Sequence, residues 1–328
     1  MAKIAVLGSG AWATALANIL LTNNHEVYIW GIDHNEINDL KKGYNTKYFN
    51  KAKLADLPAL ATTDLKQIVN AQPTFFVVAV PSRFVCEVIE KVVNLLDYQP
   101  YFINVAKGLH PQTNDVLSKN IKKIINKKAK GLVTIIGPSF AKEVMAKKIT
   151  IVNGLSNNVS CARIVGAIFN NSYFRIIPCG DEIGGELSAA LKNVMAIALG
   201  IAYAQHTSIN TRAAMLAQAA SEICKIIKFF GGQAETIANF CGIGDIYLTC
   251  TDPKSRNFTL GTKIAKDGIA KALAETKSTV EGYHTAKLIY EIIKQNKMSC
   301  PVFMATYKVL YEKVDACNFV QTIMRQIF

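Results

Sequence analysis

Lys192 stands inside LSAALKNVMAIALGIAYA, residues 187–204, where every other residue is uncharged and most are apolar. An ammonium is costly to bury. Such a lysine either runs its alkyl stem along an apolar face to reach solvent or performs acid–base and electrostatic work in a dry site. Five other stretches carry suitable chemistry. VLGSGAWATALA places Gly8, Gly10 and Ala13 as G-x-G-x-x-A, after an apolar strand-like run and at the start of a helical one. The first glycine permits the tight turn and the second lets a pyrophosphate approach the backbone. The small third residue lets helix and strand pack closely, with the helix N-terminus toward the phosphates. NVAKGLH puts Lys107 and Gly108 at a strand end, where open α/β sheets bind ligands. IIGPSFAKEV runs from a strand through Gly137 and Pro138 to Ser139, read as the cap of a helix whose first N–H groups face the cofactor. GIGDIYLTCTDPKSRN concentrates Asp245, Thr249, Ser255, Arg256 and Asn257; a guanidinium beside an amide after a proline turn suits a phosphate. STVEGYHTA adds Glu281 ahead of a glycine and a helical run.

Each of these has a plainer structural reading. Lys107 is equally an exposed loop lysine, Gly137–Ser139 an ordinary strand-to-helix turn, Arg256 an incidental loop residue and Glu281 a capping residue. A carboxylate near the end of the second strand-like run, Asp33, lies where it would bond the ribose 2′-hydroxyl of NAD. It also reads as the N-cap of the next helix. No arginine accompanies it to receive a 2′-phosphate, and the adjacent position is Ile32.

The elements that must hold these residues follow from the hydrophobic pattern. KIAVLG, EVYIWG, TFFVVAV, YFINVA, LVTIIG, ITIVNG and FRIIPC read as strands, separated by helix-like segments such as 11–22, 83–96, 112–126 and 158–170. That alternation predicts parallel strands covered on both faces. After Cys179 the strand signals stop and nearly every segment reads as helix. The expected fold is therefore a Rossmann-like doubly wound α/β sheet domain over residues 1–180, followed by an all-helical domain over 181–328. At 328 residues, 50% hydrophobic and 19% charged, the chain is long enough for two cores.

The net charge of +13 raises the question of nucleic acid. The lysines are scattered, and the densest run, KKIINKKAK, lacks interleaved aromatics, so a solvated lysine-rich surface is expected and nucleic-acid binding is not. The eight cysteines form no C-x-x-C pair, which suits reduced core residues of a cytoplasmic protein. The five dispersed histidines suggest no metal site. The apolar stretch around Lys192 approaches spanning length, but Lys192 and Asn193 interrupt it, so a buried helix is expected and no integral membrane segment.

Taken together, GSGAWATALA, AKGL, GPSFAKEV, LKNVMAIALG, GIGDIYLTCTDPKSRN and VEGYHTAK resemble, in order and spacing, the bacterial NAD(P)-dependent glycerol-3-phosphate dehydrogenase family over nearly the whole chain. The resemblance implies that Lys192 is the catalytic acid/base, with Lys107, Asp245 and Thr249 completing the reaction centre. It implies that Asn193, Arg256 and Asn257 hold the substrate phosphate, with Gly137, Ser139 and Ser255 also lining the substrate site. Ala11, Trp12, Lys107, Ala141, Arg256 and Glu281 match cofactor-contacting positions, alongside Gly8, Gly10 and Asp33. It further implies NAD or NADP as cofactor, a small phosphorylated triose as substrate, a homodimer, and supply of glycerol phosphate for phospholipid synthesis. Ile32 replaces the basic or polar residue of many bacterial members, which favours NAD or use of both cofactors. In such a site desolvation and Lys107 would lower the Lys192 pKa while Asp245 opposes the shift. Two other readings stay open: a related two-domain dehydrogenase of another small hydroxy compound, and a dinucleotide-binding sensor without turnover.

Overall fold

The computed structural model describes residues 1–276 and 280–327, so Ser278 and Thr279, the first two residues of the STVEGYHTA stretch, lie outside the described residues with Lys277 and Phe328. The chain packs as two units, Met1–Glu182 and Ile183–Phe328.

Eight strands build the first unit: β1 (Lys3–Leu7), β2 (Glu26–Trp30), β3 (Leu60–Thr62), β4 (Phe75–Val78), β5 (Tyr101–Asn104), β6 (Gly131–Ile136), β7 (Thr150–Leu155) and β8 (Phe174–Cys179). They form one sheet in the order β3-β2-β1-β4-β5-β6-β7-β8. Eight helices accompany them: α1 (Ala11–Thr22), α2 (His34–Lys41), α3 (Thr46–Phe49), α4 (Leu65–Asn70), α5 (Val85–Val93), α6 (Leu117–Ile125), α7 (Ala141–Met145) and α8 (Val159–Phe169). The apolar runs are continuous because both faces of the sheet are covered. Ile4, Val6, Val77 and Ile103 pack on the side of α1 and α8. Their neighbours Ala5, Leu7, Phe76, Val78 and Phe102 pack on the opposite side with α5 and α6.

Two features differ from the sequence expectation. β3 is an additional strand, only three residues long, paired in parallel with β2. β7 pairs antiparallel to β6 and parallel to β8, so the sheet is not wholly parallel. The link from Ile136 to Thr150 carries only the five-residue α7, too short a helix to return the chain along the sheet for a parallel crossover.

The second unit is helical. It contains α9 (Glu182–Ala204), α10 (Ile209–Phe229), α11 (Asp245–Thr251), α12 (Arg256–Asp267), α13 (Ile269–Ala274), α14 (Glu281–Gln295), α15 (Pro301–Tyr311) and α16 (Phe319–Met324). Among the described residues α9 alone is long and apolar enough to cross a membrane, and 89% of its most apolar window is buried inside the protein. Two glycines let α9 and α12 touch backbone to backbone. A Cβ at Gly200 would lie 2.2 Å from the Phe258 carbonyl oxygen, and one at Gly261 would lie 2.1 Å from that of Ile197. The crossing fixes the first turn of α12 against the middle of α9. Gly261→Ala therefore forces the two helices apart, and urea unfolding should show a loss of about 1–3 kcal/mol; an unchanged midpoint contradicts the close crossing.

Glu222 of α10 is fully buried and accepts from the backbone N–H groups of Val302 and Phe303, both at 3.1 Å, which caps the first turn of α15. The Gln218 amide also donates to it, at 2.9 Å. Burial pushes its carboxyl above the usual 4.5, against these hydrogen bonds and the charge of Lys225. A carboxyl raised in the folded state holds its proton to higher pH than in the unfolded chain, so its contribution falls as pH rises from about 4.5 through the raised value. Glu222→Gln should flatten that part of the melting-temperature profile against pH; a profile that keeps its slope excludes Glu222 as its source.

Candidate functional site

The first unit presents its candidate residues at the carboxyl ends of β1, β2, β5 and β6. Gly8 follows β1 with φ +133°, a conformation L side chains rarely adopt, and a Cβ there would meet the Ala79 carbonyl oxygen at 2.6 Å. Gly10, the N-cap of α1, has nothing within 4 Å of where a Cβ would stand. No side chain caps α1, and Ala11 and Trp12 at its start pack partly buried against the core. A closed turn, an open approach at the second glycine and an uncapped helix N-terminus fit a dinucleotide pyrophosphate. The β1–β4 boundary where Gly8 sits is the point at which strand order reverses, where such sheets take ligands.

Asp33 is the N-cap of α2, accepting from the N–H groups of Asn35 at 2.9 Å and Glu36 at 3.2 Å. The capping reading of this residue is thus realised. Its other oxygen meets Lys47 Nζ at 3.1 Å, and this partner holds the carboxyl below its usual range. Lys47 also pairs with Glu36 at 2.6 Å. Sequence reasoning missed Lys47: it sits on the short α3 in GYNTKYFNKA, which has no periodicity to distinguish it from the other lysines.

After β5, the fully buried Asn104 accepts from the Ala106 N–H at 3.1 Å and turns the chain. Gly108, at φ +114°, continues the turn. Lys107 donates to the Gly137 carbonyl oxygen at 3.1 Å, and Ser139 Oγ donates to the same oxygen at 3.1 Å. Lys107, Gly137 and Ser139 are therefore together. The expectation that Ser139 caps a helix is corrected: the N-cap of α7 is Phe140, and the Ser139 hydroxyl turns back to Gly137 instead. Ala141 is the first residue of α7 and packs against the core.

The second unit gathers the remainder. Lys192 of α9 is 4% exposed and Asp245 of α11 fully buried, with Nζ and Oδ1 2.6 Å apart. Lys192 also donates to Thr249 Oγ1 at 2.9 Å. The Thr249 hydroxyl donates in turn to the Asp245 carbonyl oxygen at 2.7 Å, which commits its proton and turns a lone pair to the ammonium. Asp245 and Thr249 are one helical turn apart, so one face of α11 supplies both. The adjacent carboxylate favours the charged ammonium over the neutral amine.

A second cluster adjoins it through Asn193. Asn193 Nδ2 donates to Glu281 Oε2 at 3.2 Å, and its Oδ1 accepts from Asn257 Nδ2 at 2.9 Å. Asn257 Oδ1 accepts from the Gly282 N–H at 3.0 Å, and so ties the start of α14 to the start of α12. Gly282 must be small here, since a Cβ would lie 2.5 Å from the Asn193 carbonyl oxygen. Ser255 is the N-cap of α12, its Oγ accepting from the Phe258 N–H at 3.3 Å. Arg256, the first residue of α12, is exposed. Among the described residues no group of three His, Cys, Asp or Glu side chains could hold a metal ion.

Comparison with known proteins places both units in one family. The family model for the N-terminus of NAD-dependent glycerol-3-phosphate dehydrogenase matches residues 3–162, and that for its C-terminus matches residues 181–321. A glycerol-3-phosphate dehydrogenase [NAD(P)+] of Malacoplasma penetrans is 40% identical over 321 residues, which is 97% of this chain and 94% of that protein. One from Staphylococcus carnosus is 33% identical over 99% of this chain and 98% of its own. The crystal structure of the Coxiella burnetii glycerol-3-phosphate dehydrogenase superposes with a TM-score of 0.87 at 28% identity, covering 98% of both chains. The chain belongs to the NAD-dependent glycerol-3-phosphate dehydrogenase family.

Proposed function

We propose that the protein interconverts dihydroxyacetone phosphate and sn-glycerol 3-phosphate, with Lys192 as the proton donor to the C2 oxygen in the reducing direction. The observation that carries this is the buried ammonium held by Asp245 and Thr249 beside the Asn193–Asn257 amide pair. When bound, the reduced nicotinamide supplies the hydride that C2 accepts. The carbonyl π-bond pair moves to oxygen as the hydride arrives, and Lys192 gives that oxygen its proton. Until the proton moves, the ammonium stabilises the developing negative charge in a site with little water. Asp245 keeps the ammonium charged and, with Thr249, aims it. Solvent reprotonates the amine after each turnover, and glycerol-phosphate oxidation runs the same path in reverse.

The substrate phosphate is assigned to Asn193, Asn257 and the Arg256 guanidinium, with Ser255 shaping the turn. Gly8, Gly10, Ala11 and Trp12 receive the pyrophosphate, and Asp33 the adenosine ribose. Lys107, Gly137, Ser139, Ala141 and Glu281 complete the cofactor and substrate contacts. With this reading go a homodimeric assembly, a place in the cytoplasm and supply of glycerol phosphate for phospholipid synthesis.

Loss of absorbance at the reduced-nicotinamide band tests the reaction directly. Dihydroxyacetone phosphate should be turned over with at least one of NADH and NADPH, and unphosphorylated dihydroxyacetone far more slowly. Arg256→Ala should raise KM for the phosphorylated substrate about tenfold or more, as for loss of a charge-assisted hydrogen bond, while affecting dihydroxyacetone little. Equal turnover of the two ketones would sink the phosphate assignment. Cofactor binding without turnover of either ketone would sink the reaction.

A further inference from the structure

The side chains of Asp33, Glu36, Lys47 and Tyr48 form one linked group just beyond β2, and the proposed ribose contact of Asp33 accounts for only one of them. Glu36, in the first turn of α2, is 6% exposed. It accepts from the hydroxyl of Ser9, the residue between Gly8 and Gly10, and from Tyr48 OH at 3.0 Å. Lys47 reaches both carboxylates, Glu36 Oε1 at 2.6 Å and Asp33 Oδ2 at 3.1 Å, while its own side chain stays 55% exposed. The two carboxylates raise the Lys47 pKa above its usual value. Asn45, two residues earlier, donates to the Ser9 carbonyl oxygen and to Thr14 Oγ1, both at 2.8 Å, and so fastens this segment to the glycine turn and α1.

A carboxylate at this place selects for a ribose hydroxyl and repels a 2′-phosphate, which adds close to two negative charges. NADP use then requires a cation that can meet the phosphate, a role arginine commonly fills in such folds. Lys47 is a cation beside Asp33, solvent-accessible and on a flexible stem. If it leaves, Glu36 keeps hydrogen bonds from Ser9 and Tyr48.

We infer that Lys47 is the residue that admits NADP: it neutralises Asp33 when the ribose carries a hydroxyl and turns to the 2′-phosphate when the ribose carries one. The assignment rests on the NAD(P)-dependent reading above. It makes Asp33 and Lys47 a matched pair, one discriminating against the phosphate and the other compensating for it. Without Lys47, the Asp33 carboxylate at the proposed 2′-position loses its neighbouring cation. The chain thus uses both cofactors despite Ile32 at the position next to Asp33.

The test is direct titration of NADH and NADPH against the full chain by nucleotide fluorescence, at low and high salt. The wild type should bind both. Lys47→Met should weaken NADPH at least tenfold more than NADH and reduce the salt dependence of NADPH binding; Lys47→Arg should restore both. Because Lys47→Met leaves the buried Glu36 without its cation, Glu36→Gln/Lys47→Met is measured beside it, with the same selective loss expected. Asp33→Asn should shift preference toward NADPH. Equal weakening of both nucleotides in the double variant would make Lys47 a structural residue and overturn the inference. So would NADPH binding that survives both Lys47→Met and Glu36→Gln/Lys47→Met, or a wild type that binds NADH alone. A wild type that binds neither nucleotide would instead overturn the dehydrogenase reading itself.

Discussion

The buried ion pair of Lys192 and Asp245 is the constraint around which the helical unit is arranged. Two charges removed from water incur a desolvation cost of several kcal/mol each, and their attraction offsets it only with good geometry and further hydrogen bonds. The structure supplies both: 2.6 Å between the charged atoms, and Thr249 as a second acceptor whose own proton is committed elsewhere. Such a pair is a poor way to gain stability, since apolar residues of similar volume do as well or better. Its presence in a long, apolar, mostly buried helix is accounted for by the proposed proton-donor role. A proton donor needs a dry, rigid setting, and a carboxylate to keep it charged there.

Rigidity comes from backbone contact. Gly200 and Gly261 bring α9 and α12 together, and Gly282 lets the start of α14 close on Asn193. Asn257 then bonds both the Asn193 side chain and the Gly282 N–H. Three helices, α11, α12 and α14, thus converge on the two consecutive residues Lys192 and Asn193 of α9, so the proposed proton transfer and substrate orientation share one support. The sheet unit works differently. Its functional residues lie on turns at strand ends, where Gly8 and Gly108 allow the chain to bend. The Gly137 carbonyl gathers Lys107 and Ser139.

Much of the architecture was legible from pattern alone. The seven apolar runs are all strands, and α1 spans the residues its periodicity indicates, because a sheet covered on both faces writes itself as unbroken apolar segments. What escaped was short or long-range. β3 has three residues and no pattern of its own. The antiparallel pairing of β7 depends on how the link around α7 runs, which composition does not encode. Ser139 looked like a cap because serine precedes a helical run, yet its hydroxyl finds a nearer acceptor in Gly137. The site was partly legible in the same way. Lys192 stood out as a charge in an apolar helix, and Asp245 and Thr249 are close in sequence to each other. Only the fold carries them to Lys192, and only the fold brings Lys47 to Asp33.

The most direct measurement is turnover of dihydroxyacetone phosphate by Lys192→Ala, together with nucleotide affinity for the same protein. Lys192→Ala/Asp245→Asn is measured in parallel, because it also removes the buried charge that the single substitution leaves uncompensated. With Lys192 as proton donor, both variants bind nucleotide as the wild type does and lose about 10²–10⁴-fold in kcat. Turnover within threefold of wild type in the double variant would contradict that role, and would leave the buried pair as a structural feature of the helical unit.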